Sequence, residues 1–163
     1  MAKLIKNKAF VASDPWQLRT DEEAISDFSI ITLSRWQAEK EQLQALAQAG
    51  KLALHLSSDQ TADLLADECR QFALICIDFP KFADGRGYSC ARLLRERYGF
   101  TGDLRAVGDV LIDQLFFMVR CGFSSQALRD DQDDQAALAA FSTFSVSYQN
   151  DVHDPRPLFR RRA

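Results

Sequence analysis

The stretch KLALHLSSDQTADLLADECRQFALICIDF, residues 51–79, contains the pattern that decides the fold. Its two ends, residues 51–56 and 73–79, are short apolar runs of the kind that form buried strands. The segment between them has helical spacing, with Leu65, Cys69 and Phe72 on one face and Ser58 or Asp59 as its N-cap. Two strands joined by a helix predict a βα unit with parallel strands.

The same alternation continues on both sides of this unit. Helices are predicted over 37–49, 88–98, 109–121 and 130–144, and strands begin near residues 28, 51, 73, 103, 124 and, more weakly, 145. This pattern predicts an α/β fold with a mainly parallel sheet of five to six strands, built from repeated βα units. A closed eight-unit barrel needs about 250 residues, so the sheet is either doubly wound or an incomplete barrel. Polar strand residues favour the barrel-like form with a polar lumen: His55, Arg105 and Gln126.

The domain organisation follows from where the alternation begins and ends. Residues 26–150 are predicted to form a single α/β domain. Residues 1–25 are interpreted as an N-terminal arm with a short strand near 9–12, and residues 151–163 as a basic, extended C-terminal tail. The first residues lack the sustained apolar segment of a secretion signal, which predicts a cytoplasmic location.

Composition narrows the function classes. The chain has 163 residues, of which 47% are hydrophobic and 26% charged, as in ordinary soluble globular proteins. Its net charge of −3 argues against general binding to nucleic acid or to anionic membranes. The spacing of the four cysteines matches neither a zinc site nor an iron–sulfur cluster, so they are interpreted as buried free thiols, and neither a metal nor a cofactor is expected.

The motif that attracts most attention is FPKFADGRGYSCARLLRER, residues 79–97. It follows the third strand, at the edge of the sheet where α/β proteins bind ligands. Gly85 and Gly87 would adopt positive φ angles, and Arg86 and the helix N-terminus would bind an anion. The predicted ligand-binding residues in this loop are Lys81, Asp84, Gly85, Arg86, Gly87, Tyr88 and Ser89. A dinucleotide fingerprint is disfavoured because Cys90 occupies the place of its third glycine.

Two other interpretations of this loop stay open. In one, it is a structured corner in which Asp84 caps the turn and Arg86 pairs with a carboxylate. In the other, it is a docking surface for a partner. Two further loops are placed at the same edge of the sheet: GDV after the fourth strand and the acidic RDDQDD after the fifth.

A second group of charged residues lies on the next βα unit. Asp109 and Asp113 are predicted to share one helix face, with Arg105 as their partner and Arg120 farther along. These residues form either a structural ion-pair network or a polar pocket in which Asp109 or Asp113 acts as a catalytic acid or base. Residues 79–123 carry seven basic and five acidic side chains, which favours an anionic ligand or an acidic partner.

The region from Phe79 to about Gln126 resembles an uncharacterised proteobacterial family, a domain of unknown function. Its genes are commonly encoded beside assimilatory sulfite reductase, and its members are often labelled oxidoreductases involved in sulfite reduction. The residues that match its hallmark pattern are Phe79, Pro80, Phe82, Asp84, Gly85, Arg86, Gly87, Tyr88, Ser89, Leu94, Arg95, Gly99, Gly102, Arg105, Ala106, Gly108, Asp109, Asp113, Arg120, Cys121 and Gly122. The resemblance implies a role in sulfate assimilation but no reaction and no catalytic residue.

These observations lead to three hypotheses. The first is an accessory protein of assimilatory sulfite reduction, which binds sulfite reductase, its electron donor or an anionic small molecule through the 80–122 edge. The second is an enzyme acting on an anionic small molecule of sulfur assimilation, with Arg86 and Arg105 as its anion clamps. The third is a motif that serves the fold alone. Whether the chain is an enzyme and whether it forms homo-oligomers both stay open.

Overall fold

A computed structural model describes residues 3–161 and contains an eight-stranded mixed sheet. The strands are β1 (Lys3–Lys6), β2 (Ala9–Phe10), β3 (Gln17–Leu18), β4 (Ser29–Thr32), β5 (Leu52–Leu56), β6 (Leu74–Phe79), β7 (Asp103–Gly108) and β8 (Ser125–Leu128). The α-helices are α1 (Leu33–Gln48), α2 (Arg86–Glu96), α3 (Leu115–Arg120), α4 (Asp134–Ala140) and α5 (Leu158–Arg161). Short 3-10 helices cover Ala62–Leu64, Ala66–Gln71 and Ile112–Gln114.

The strand order explains the shape of the sheet. The order is β2-β1-β8-β7-β6-β5-β4-β3, in which β3 to β8 are parallel and β1 is antiparallel to both β8 and β2. Because β4 to β8 follow one another without reversal, right-handed crossovers place their helices on one face. The sheet therefore curls into a half-barrel. The α/β class and the incomplete-barrel alternative are confirmed, the doubly wound alternative is wrong, and the sheet has more strands than the five to six predicted.

The two faces of the sheet have different surroundings. The outer face, which packs against the helices, carries the main core, including Leu54, Ile77 and Leu104. The inner face carries a smaller cluster of Ile30, Ala53, Leu74 and Cys76, against which Trp16 packs. Strands buried on both faces have nearly continuous apolar sequences, which is why 51–56 and 73–79 could be recognised as strands.

The N-terminal segment is more regular than an arm. Residues 3–18 contribute β1, β2 and β3 to the sheet, whereas the sequence predicted only a short strand near 9–12. The segment between β2 and β3 passes the inner face of the sheet. There Asp14 pairs with Arg105, with 2.7 Å between Oδ2 of Asp14 and Nη1 of Arg105. At the other end, residues 158–161 form a helix where an extended tail was predicted. Residues 1–2 and 162–163, at the ends of the predicted arm and tail, lie outside the described residues.

Three predicted elements differ from the structure. The helix predicted over 58–72 is replaced by two 3-10 segments that meet at Ala66, where φ is 45°. The α-helix predicted over 109–121 begins only at Leu115, because residues 109–111 are not helical and residues 112–114 form a 3-10 turn. No strand forms over 145–149. By contrast, the interpretation of the cysteines as buried free thiols is confirmed for all four.

Candidate functional site

The carboxyl ends of β6, β7 and β8 lie side by side and bring three loops together. These loops span 80–85, 109–114 and 129–133. We call their combined surface, together with Arg86, the carboxyl edge. It contains most of the residues that the sequence singled out, and it is where ligands bind in related architectures.

Arg86 is held by Asp84 within its own turn. Its Nε and Nη2 donate to the two carboxylate oxygens at 2.9 and 2.7 Å, and its Nη2 also donates to Ser58 Oγ at 2.9 Å. The backbone N–H of Arg86 donates to the same carboxylate at 3.2 Å. The hydrogen bonds from Arg86 hold the pKa of the Asp84 carboxyl well below its usual value. This geometry matches the structured-corner interpretation, in which the guanidinium is occupied within the chain.

The two glycines of this loop do not have the predicted conformation. Gly85 has a φ of −88° and Gly87 lies inside α2, so neither adopts a positive φ. Gly87 is instead required by packing, because a Cβ there would lie 2.7 Å from Cζ of Phe79 and 3.1 Å from Cγ2 of Ile77. Its role is to let the start of α2 approach β6 closely.

The other predicted residues of the loop divide between surface and core. Lys81 and Ser89 are exposed. Tyr88 is half-buried, with its ring 5.0 Å from that of Phe79 and 4.9 Å from that of Phe117. Burial raises the pKa of the Tyr88 hydroxyl above its usual value. Tyr88 therefore supports the loop from beneath, whereas Lys81 and Ser89 are free to meet a partner from solution.

Asp109 links the three loops of the carboxyl edge. Its Oδ2 accepts from the backbone N–H of Phe82 at 3.0 Å, and its Oδ1 accepts from Nη1 of Arg129 at 2.6 Å. Arg129 also donates to Asp131 at 2.7 and 2.8 Å, which lowers the pKa of Asp131 to about 2. The sequence placed RDDQDD at this edge but did not identify Arg129 as a site residue. The signal was present, because a lone arginine opens an acidic loop.

The remaining predicted residues do not join this group. Arg105 lies on the inner face and pairs with Asp14, not with Asp109 or Asp113. Arg120 ends α3 near the opposite edge, where its Nε lies 3.7 Å from Asp151 Oδ2. Asp113 is exposed and lies in a 3-10 turn, so it does not share a helix face with Asp109. The predicted convergence of these charges on one polar pocket is wrong.

The electrostatic character of the carboxyl edge is acidic. It carries three cationic side chains and six carboxylates: Lys81, Arg86 and Arg129 against Asp84, Asp109, Asp113, Asp130, Asp131 and Asp133. Other basic residues counted from the sequence lie elsewhere, on α2, on the inner face and at the end of α3. Two pockets, of about 770 and 670 Å³, lie near the opposite edge, and of the predicted ligand residues only Arg120 lines either of them.

A titratable pair also lies on the inner face, where His55 on β5 and Asp78 on β6 approach the carboxyl ends of their strands. Burial lowers the pKa of His55. This effect is larger than that of the Asp78 charge, which acts to raise the same pKa. The unfolded chain therefore binds this proton more readily, so stability should fall as pH drops below about 6.5. The carboxylates with lowered pKa values contribute to stability loss at lower pH.

We expect an NMR titration to give a His55 pKa below 6.5. We also expect His55→Gln to reduce the loss of stability between pH 7.5 and 5.5, measured from urea unfolding midpoints. A His55 pKa above 6.5 would contradict this expectation.

Two common features are absent from the described residues. None of the helices within residues 3–161 combines the length and the hydropathy needed to cross a membrane. Over the same residues, no group of three or more His, Cys, Asp or Glu side chains is arranged to hold a metal ion.

Comparison with family models identifies a family for this chain. Residues 53–159 match a family model described as a bacterial protein of unknown function (DUF934). This segment runs from β5 to α5 and includes the whole carboxyl edge. Neither the search of curated proteins nor the search of solved structures returned a significant match.

Proposed function

This chain belongs to the DUF934 family of bacterial proteins of unknown function, and from that premise we propose that it is an accessory protein of assimilatory sulfite reduction. In this proposal, the carboxyl edge docks onto sulfite reductase or its electron donor. The pathway rests on the resemblance of residues 79–126 to proteins encoded beside sulfite reductase. The mode of binding rests on the geometry of the edge.

One observation carries the docking proposal. The arginines of the carboxyl edge are already paired with carboxylates of the same chain, whereas its aromatic side chain Phe82 is half exposed, at 51%. Phe117, which contacts Tyr88 under the same loop, is 46% exposed. An exposed aromatic residue with charged neighbours is typical of a protein interface.

The charge of the edge selects the partner. With six carboxylates against three cations, the edge is complementary to a basic surface. A free anion is not favoured here, because Arg86 is held by Asp84 and the surrounding potential is negative. The enzyme alternative is not favoured either. Both carboxylate oxygens of Asp109 already accept hydrogen bonds, from the Phe82 N–H and from Arg129, and Asp113 is exposed to solvent.

The test compares two substitutions at equally exposed apolar residues. Tagged wild-type protein, Phe82→Ser and Leu64→Ser would be used for capture from sulfate-grown cells of the source bacterium. Phe82 and Leu64 are both 51% exposed, but Leu64 belongs to a 3-10 turn that is not one of the three loops of the carboxyl edge. We expect wild type and Leu64→Ser to recover sulfite reductase or its electron donor. Recovery by Phe82→Ser should fall about tenfold, as for a hot-spot aromatic.

Salt and growth measurements complete the test. Recovery should weaken as sodium chloride is raised, because charge complementarity is screened. A deletion strain should grow on cysteine but not on sulfite as its sulfur source. The proposal fails if wild type recovers no protein of sulfur assimilation, or if Phe82→Ser recovers as much as Leu64→Ser.

A further inference from the structure

The larger of the two pockets lies at the amino ends of β7 and β8, at the edge of the sheet opposite the carboxyl edge. It measures about 770 Å³, a size that accommodates a small organic molecule. Its apolar wall consists of Phe100, Val119, Phe123 and Val152. Val152 belongs to the C-terminal tail, which is fixed at this place because its backbone N–H donates to the Arg120 carbonyl at 3.2 Å. We call this cavity the amino-edge pocket.

A buried amide without a partner lines the amino-edge pocket. Gln126 pairs in register with Ala106 of the main core, so its side chain lies on the outer face of the sheet. The sequence had predicted that Gln126 lies in the lumen, which is wrong. It is 1% exposed, and neither its Oε1 nor its Nε2 has a hydrogen-bond partner among the residues that the structure describes. An amide left unpaired in a core carries a desolvation cost. It would recover this cost by bonding a ligand.

The formally charged side chains that line the pocket are both basic. Within residues 3–161, its lining includes Lys8 and Arg95, together with His153, and no aspartate or glutamate. Lys8 is exposed at the tip of the β1–β2 turn, so its ammonium can reach a ligand from the rim.

Among the residues that the structure describes, Arg95 has no carboxylate partner at hydrogen-bond distance. It donates from Nε to the Gly122 carbonyl at 2.9 Å and from Nη1 to the Phe100 and Gly102 carbonyls at 2.7 and 2.8 Å. Its Nη2 makes a single long bond of 3.5 Å to Ser124 Oγ. A guanidinium has five N–H donors, so one of those on Nη2 is uncommitted within the described part of the chain.

We propose that the amino-edge pocket binds a small organic acid, with the carboxylate held by Lys8 and Arg95 and an apolar body held against Phe123 and Val119. Gln126 offers a donor and an acceptor to the same ligand from the wall of the pocket. The anion-binding property that the sequence assigned to the carboxyl edge is thus assigned to the opposite edge. This site is separate from the docking surface, so either proposal can fail without the other.

The test uses benzoate as the probe and benzylamine as its cationic counterpart. Titration of the ¹⁵N-labelled full-length protein should shift backbone resonances of residues 100–101, 119–126 and 152–153. A ligand of this size should bind with a Kd on the order of 1 mM. We expect benzylamine to bind at least tenfold more weakly, because it brings a cation toward Lys8 and Arg95.

Three variants distinguish a binding site from a passive cavity. Lys8→Gln should weaken benzoate binding about fivefold, whereas Lys81→Gln, at the carboxyl edge, should leave it unchanged. Gln126→Met should raise the melting temperature, since it removes an unpartnered buried amide, and should also weaken binding at least threefold. The proposal is overturned if benzoate and benzylamine bind alike, if the shifts fall outside these residues, or if Gln126→Met raises the melting temperature with benzoate affinity unchanged.

Discussion

Replacing Gly108 by alanine is expected to destabilise the protein by about 4 kcal/mol, through backbone strain and overpacking together. Gly108 ends β7 with a φ of +92°, a conformation that residues with a side chain rarely adopt. A Cβ there would lie 2.5 Å from the Phe79 carbonyl oxygen and 2.6 Å from Asp78 Oδ1. The carbonyl cannot move away freely, because it accepts from the N–H of Asp109 at 2.7 Å.

Gly85→Ala is the matched control for this substitution. Gly85 has a φ of −88°, and an added Cβ would meet its nearest neighbour, Tyr88, at an ordinary 3.8 Å. We expect its stability to be unchanged or increased by about 0.5 kcal/mol, since alanine restricts the unfolded chain. Urea unfolding, followed by circular dichroism, measures the free energy of unfolding of the Gly108→Ala and Gly85→Ala variants. Equal stabilities for the two variants would contradict the close approach of β7 to β6 at Gly108.

Arg95→Met is expected to lower the free energy of unfolding by about 3 kcal/mol. Arg95 connects the end of α2 to the loops before β7 and β8, through its bonds to the carbonyls of Phe100, Gly102 and Gly122. Removing it would leave these acceptors without their charged donor, and hydrogen bonds to charged groups are each worth about 1.5–3 kcal/mol. Methionine keeps the aliphatic stem, so the loss reports mainly on the guanidinium.

Arg92→Met, one turn earlier on the same helix, is the control for Arg95. Arg92 is exposed and bonds to Glu96, four residues later, at 2.9 Å. Exposed pairs of this kind contribute about 0.3–0.5 kcal/mol, so its unfolding midpoint should barely change. If Arg95→Met were as stable as Arg92→Met, the three carbonyl bonds would not hold these loops together.

The parallel strands were predictable because burial on both faces leaves a clear record in the sequence. β5 and β6 are nearly continuous apolar runs, and each stands between segments with a different period. The two 3-10 segments of residues 58–72 were not predictable, and the sequence indicated one continuous helix there. Leu65, Cys69 and Phe72, its predicted inward face, are all buried, but the chain bends at Ala66 in a way that a helical pattern cannot reveal. Tertiary burial outweighed local propensity there.

The candidate sites were harder to predict, for a reason that lies in the topology. Arg95 and Arg120 belong to the same segment, 79–123, as Arg86, but α2 and α3 carry them toward the other edge of the sheet. A count of charges along the chain therefore combined two surfaces of different character. Gln126 shows the same limit, because only the register with Ala106 decides which face of β8 it occupies. The Asp84–Arg86 pair, two residues apart, could be anticipated as a local contact.

The consecutive order of β4 to β8 also has a consequence for how the sheet assembles. Each of these strands pairs with the next along the chain, across separations of 20 to 29 residues. β1 must find β8 across about 120 residues. Loop closure makes that pairing costlier by about 1.4 kcal/mol than a pairing between neighbours. The half-barrel therefore forms largely by pairing between strands that are neighbours along the chain. β1 joins from a distant part of the chain, and the burial of Ile5 in the core offsets the entropic cost of that pairing.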